Sequence, residues 1–150
     1  MALVQLLGPL RRGIHRVTRA DGSGSQADEP LPAPPQVEVL RLLAGGGSWS
    51  TGALAERLEL AASTLSNLLR DMEGRGLVER ARVPDDQRRV VVSLRSSGRA
   101  ALRHHDAHAA RVLGTYLATL SEGDQVALRA ALPALARLTD ALGGTHATAR

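Results

Sequence analysis

A mainly α-helical chain carrying one small β-hairpin is the fold class the sequence predicts, on three observations. Leu65, Leu68, Leu69 and Met72 recur at i, i+3, i+4 and i+7, the stripe of an amphipathic helix. A shorter helical segment with Leu54, Ala55 and Leu58 precedes that stripe, and an alternating run with Val90, Val92 and Leu94 follows it. Apolar residues at helical spacing also occupy both ends of the chain.

Turning the striped helix by about 100° per residue puts Ser63, Asn67 and Arg70 on its opposite side. Thr64, Ser66 and Asp71 flank them. Small hydroxyls, an amide and a guanidinium suit the floor of a DNA major groove, which admits a helix and offers base-edge donors and acceptors. Taken alone, the same face reads equally as the solvated back of an ordinary amphipathic helix.

Composition narrows the field. A chain of 150 residues fits one domain, or a small domain with helical extensions, and a hydrophobic share of 43% allows a core. Aromatics make up only 1%, so Leu, Val and Ala must build that core, and capture of single strands by ring stacking is disfavoured. With no cysteine, disulfides, Cys-ligated zinc and thiol redox sensing are excluded. The formal charge of +4 rests on 19 basic residues, all arginine, and mildly favours a polyanionic partner without identifying one. No apolar run approaches the ~20 residues that span a bilayer. Arg11 and Arg12 follow the greasy N-terminal stretch, the reverse of a secretory signal, so a cytoplasmic protein without membrane attachment is expected.

In chain order, Leu3, Leu6, Leu7, Leu10, Ile14 and Val17 define an amphipathic helix over residues 1–20, interrupted or begun near Gly8-Pro9. Residues 21–35 form a connector rich in Gly, Ser, Pro and acidic side chains. Val37, Leu40, Leu43 and Ala44 form a short helix closed by Gly45-Gly46-Gly47. Ser48-Trp49-Ser50 reads as a short strand, and Thr51 as the N-cap of the next helix. After the striped helix, Gly74-Arg75-Gly76 breaks the period. Strands over Leu77–Val83 and Arg88–Leu94 then flank a turn at Pro84-Asp85-Asp86-Gln87. Ser96–Thr119 resumes helical spacing, Ser121 caps a last helix that Pro133 should kink, and residues 143–150 form a frayed, disordered tail. The apolar faces of the terminal helices exceed what a small module can cover, so association through both chain ends is expected.

Several strings in this order resemble the MarR family of bacterial winged helix-turn-helix regulators. They are Pro35-Gln36 with Val39-Leu40, Leu54-Ala55-Glu56-Arg57-Leu58, Ser63-Thr64-Leu65-Ser66 and Gly76-Leu77-Val78-Glu79-Arg80. Asp86-Gln87-Arg88-Arg89 and Ser93-Leu94 with Gly98 complete the series, which spans about Leu3 to Leu142. The resemblance implies a winged helix-turn-helix at residues 36–95, with dimerisation helices at 1–20 and 96–142. It also implies a homodimer whose two recognition helices, about Ala62 to Arg75, enter adjacent major grooves of double-stranded DNA. The wing-tip arginine held by an aspartate in the family maps onto Arg88 and Asp86. A carboxylate that fixes a guanidinium rotamer lowers the entropy lost on insertion into a narrow minor groove. As a plain surface pair it would contribute little.

On this reading Ser63, Thr64, Ser66, Asn67 and Arg70 belong to the recognition helix, and Asp86, Arg88 and Arg89 to the wing. Arg75, Arg80, Arg82 and Arg89 are candidate phosphate contacts. A ligand-tuned repressor acting on a pseudo-palindromic operator is the expected function, with a small-molecule effector in a cleft between the dimer helices and the DNA lobe. Two departures from the family stand out. Ala61-Ala62 replaces the usual hydroxyl opening the recognition helix, and Leu94-Arg95 replaces Leu-Thr, which shifts capping to Ser96 or Ser97.

Two other classes compete. His104 and His108, at i and i+4, have a usable zinc-ligand spacing, with His105, His15, Asp28, Glu29 or Glu38 to complete a site. Two histidines on a helix are more often solvated or packed, and no cofactor is expected. A winged-helix interaction module without DNA binding is permitted by the near balance of eight Arg against seven acidic residues over Thr51–Arg95. An enzyme is disfavoured: G-x-S-x-G is absent, and Gly45-Gly46-Gly47 lacks the Lys-Ser/Thr of a nucleotide loop.

Overall fold

The computed structural model describes the backbone of residues 3–22, 30–83 and 86–144. In order these form α1 (Leu3–Gly22), α2 (Pro34–Ala44), β1 (Trp49–Ser50), α3 (Thr51–Arg57), α4 (Ala62–Gly74), β2 (Val78–Val83), β3 (Asp86–Leu94), α5 (Ser96–Leu117) and α6 (Glu122–Gly144). Two compact units result, Met1–Ala110 and Arg111–Arg150.

The core of the first unit is aliphatic, as the near absence of aromatics requires. Val37, Val39, Leu40 and Leu43 of α2 meet Leu54 of α3 and Leu65, Leu69 and Met72 of α4. Leu77, Val78, Val92 and Leu102 close it, with Trp49 and Leu68 packed at its edge. Three of the four stripe residues of α4 are thus fully inside, and burial of each side chain contributes about 1.5–3 kcal/mol.

The sheet is antiparallel in the order β1-β3-β2. Trp49 pairs with Val92, and Val78 through Arg82 pair with Leu94 through Val90. The register then shifts between Arg82 and Val83, which pairs with Asp86. Gln87, Arg88 and Arg89 are therefore surplus on β3, a bulge in the distal hairpin.

The turn between α3 and α4 is a Schellman motif. The Leu60 N–H donates to Ala55 O (2.9 Å) and the Glu59 N–H to Glu56 O (3.1 Å), with Glu59 at φ 53°. The same closure recurs after α4, where Leu77 N–H donates to Met72 O (2.9 Å) and Gly76 takes φ 68°. This second turn launches β2 with Leu77 fully buried.

Five local expectations need correction. Pro9 neither starts nor stops α1, which runs through it. Its fixed φ is helical and only one backbone bond is lost. The connector ends earlier than residue 35, because Pro34 and Pro35 take the first helical positions of α2, where a missing N–H costs nothing. The N-cap of α3 is Ser50, not Thr51: its Oγ accepts from the Ala53 N–H at 3.1 Å. Neither Ser96 nor Ser97 caps α5, since Arg99 N–H bonds Arg95 O at 3.0 Å and Ser97 Oγ donates to Gly76 O. Asp86 and Gln87 belong to β3 rather than to the turn.

Pro84 and Asp85, the remainder of that turn, lie outside the described residues, as do residues 23–29 of the connector and 145–150 of the tail. In the second unit Ser121 does cap α6, its Oγ accepting from the Asp124 N–H at 3.1 Å. That helix continues through Pro133 to Gly144.

Candidate nucleic-acid interface

The outer side of α4 carries the expected polar set. Ser63, Thr64, Asn67 and Arg70 are exposed and Ser66 is half-buried, because Leu65, Leu69 and Met72 turn the helix so that this side faces away from the core. Arg70 Nη1 donates to Asn67 Oδ1 at 2.9 Å, so two residues assigned to base reading are held to each other. Such an i, i+3 bond orders a long side chain before any partner arrives.

The candidate phosphate arginines fall into two groups. Arg75, the C-cap of α4, is half-buried and points its guanidinium inward, donating to Gln36 Oε1 (3.0 Å) and Pro30 O (2.7 Å). Arg80 grips Glu73 through Nε (2.8 Å) and Nη2, joining β2 to α4. That bond and the arginine's charge hold the Glu73 carboxyl below its ordinary 4.5, against the opposing effect of burial. Arg82, by contrast, is exposed on β2. Arg95 lies 3.7 Å from Glu79 across the base of the hairpin. The side chains of Asp86, Arg88 and Arg89 lie outside the described residues; their backbones sit in the bulged end of β3.

The histidines of α5 do not converge. His108 is buried with Nε2 3.0 Å from Thr18 O, whereas His104 is exposed. His105 Nδ1 lies 3.3 Å from Asp106 Oδ1, which also accepts from Arg41 Nη2 at 2.7 Å. Among the described residues no group of three or more His, Cys, Asp or Glu could hold a metal ion. Asp28 and Glu29 fall outside them.

Gln36 is the residue that sequence reasoning missed. Its amide Nε2 donates to Asp71 Oδ2 at 2.6 Å, while Oε1 accepts from both the Ala33 N–H (2.9 Å) and Arg75. A glutamine three residues after a helix cap is a signal for the local bond. Nothing in the sequence marks the two partners on α4.

Two helices joined by a tight turn, a polar outer side on the second helix and a hairpin directly after it define a winged helix-turn-helix protein. Residues 33–90 match the model of the MarR family. An uncharacterized HTH-type transcriptional regulator of Mycobacterium bovis is 30% identical over 105 residues, covering 70% of this chain and 73% of that protein. A MarR family protein from Bacillus stearothermophilus has 25% identity and a TM-score of 0.67, over 91% of this chain and 92% of its own. A Staphylococcus aureus MepR mutant bound to an oligodeoxyribonucleotide shares the fold at TM-score 0.63 and 20% identity, over 93% and 99% of the two chains. The chain belongs to the MarR family of transcriptional regulators, proteins that are not enzymes. No helix among the described residues is long and apolar enough to cross a membrane.

Proposed function

We propose that this protein is a sequence-specific, DNA-binding repressor that acts in the cytoplasm as a homodimer on a pseudo-palindromic operator. The observation that carries the reading is the exposed Ser63-Thr64-Asn67-Arg70 side of α4, backed by the core and followed at once by a β-hairpin. Ser63, Thr64, Ser66, Asn67 and Arg70 would meet base edges in the major groove, and Arg88, steadied by Asp86, would enter the minor groove. Arg82 and Arg89 take the phosphate contacts, while Arg75 and Arg80 are spent within the lobe.

Pairing of two chains is supported by the apolar side chains left exposed in one. Val4, Leu6, Leu7 and Leu10 of α1 are 47–79% exposed, and Val126, Leu128, Leu132, Leu135, Leu138 and Leu142 of α6 are 38–67% exposed. Contiguous apolar surface of this kind marks an association site, and a two-fold pair would set half-sites about one helical turn apart. A small-molecule effector would regulate such a dimer only through different affinities for its DNA-competent and DNA-incompetent states.

Selection of bound duplexes from a random pool tests the reading: a palindrome should emerge, and the chain should shift its own upstream DNA. Arg88→Ala should then weaken binding to the selected duplex far more than Arg137→Ala on α6. Equal titration curves for the two variants would remove the wing from the interface.

A further inference from the structure

We propose that Gln36 is a positioning residue for DNA readout, the centre of a polar clasp that fixes the rotation of α4; this rests on reading α4 as the DNA-reading helix. Gln36 is only 5% exposed, yet both ends of its amide are used on α4. Its donor holds Asp71 at 2.6 Å and its acceptor holds Arg75 at 3.0 Å. Asp71 and Arg75 stand at i and i+4, one side of the helix, and Asp71 directly follows Arg70. The other half of the Arg75 guanidinium closes on Pro30 O at 2.7 Å, so the segment leading into α2 is held by the same device. Ala33 N–H, also bonded to Gln36 Oε1 at 2.9 Å, anchors the glutamine to the start of α2.

Apolar packing alone resists rotation of a helix weakly, because aliphatic side chains slide past one another at small cost. Directed bonds 35 and 39 residues apart in sequence do not slide. At the roughly 5–6 Å radius of a helix with its side chains, a 10° rotation moves a surface group by about 1 Å. That is enough to break the distance window of a base-edge hydrogen bond at Asn67 or Arg70. The clasp also assigns Arg75 as a strut of the lobe, with its charge already committed.

The test exchanges donor and acceptor across one bond. Gln36→Glu keeps the acceptor for Ala33 and Arg75 but sets a second carboxylate against Asp71. Adding Asp71→Asn restores one donor and one acceptor in reversed order. Hydrogen exchange of Leu68–Arg75 is compared with that of the α2 core, and the affinity for the selected duplex is compared with that for scrambled DNA.

Q36E should speed exchange in Leu68–Arg75 selectively and lower the affinity ratio about tenfold, the scale of a lost bond to a charged group. Q36E/D71N should recover most of both. Arg75→Gln should weaken binding without changing its salt slope, whereas loss of a phosphate contact would lower that slope by about one. Unchanged exchange in Q36E, no recovery in the double variant, or a reduced slope in R75Q overturns the assignment. A wild-type chain without sequence preference removes the DNA reading and this role in it, while the exchange pattern still decides whether the clasp locks α4.

Discussion

Gly98, in the first turn of α5, lies directly against the Leu77 carbonyl. A β-carbon there would overlap that oxygen and come within 2.8 Å of Leu94 Cδ1. The same carbonyl accepts the Arg95 N–H at 3.1 Å, so it cannot tilt away without breaking the junction between hairpin and helix. Gly98→Ala should therefore cost about 3 kcal/mol or more, the range of overpacking against rigid backbone. Urea denaturation of the variant should show a midpoint far below that of the parent. A shift within a few tenths of a molar would mean that α5 can slide.

At Glu59 the opposite substitution should help. Its φ of 53° is the left-handed conformation that costs an L side chain about 1–2 kcal/mol. The side chain is exposed and adds no packing to offset that cost. Glu59→Gly should raise stability by about 0.5–1 kcal/mol after the extra entropy of an unfolded glycine is subtracted. Glu59→Val, with a branched side chain at the same φ, should lose stability. Thermal melts of the two variants should move in opposite directions from the parent.

Much of this lobe was legible because its signals are local. The α4 stripe needs only the 3.6-residue period, and Ser121 with Asp124 three residues on marks the start of α6. Other features needed the third dimension. Ser50 and Thr51 are both hydroxyl residues, and the choice between them follows from Ser50 being extended and paired with Val91. Gly98 stood in the sequence as part of a family pattern, but only the approach of Leu77 explains why a side chain is barred. Arg75 and Arg80 looked like the other arginines near the hairpin. Their bonds to Gln36 and Glu73, far along the chain or across elements, take them out of the solvent-facing set.

The Glu73–Arg80 bond predicts how the lobe responds to acid. Glu73 is held below its ordinary 4.5, mainly by the hydrogen bond from Arg80. A carboxyl whose folded value is depressed stabilises the fold fully above its unfolded value and loses that contribution as pH falls through the folded one. The pair is partly exposed, with side chains 29% and 37% accessible, so solvent screening keeps the contribution small. Glu73→Gln should be slightly less stable than the parent at neutral pH, and the gap should close below about pH 4.5. Parallel stability curves across that window would show that the pair contributes nothing.

Leu132 separates one chain from two. In a single chain it is 60% exposed, midway along α6 among Leu128, Leu135 and Leu138. For a lone subunit, Leu132→Arg is a surface substitution worth within about ±0.5 kcal/mol. In an apolar interface between copies, the same change buries a guanidinium without a partner, a cost of several kcal/mol counted twice across a two-fold axis. Sedimentation at micromolar concentration should find the parent as a dimer and the variant as a monomer. DNA affinity should fall steeply with it, since a single lobe reaches one half-site only. If parent and variant both sediment as one subunit, the exposed face of α6 does not join copies of this chain.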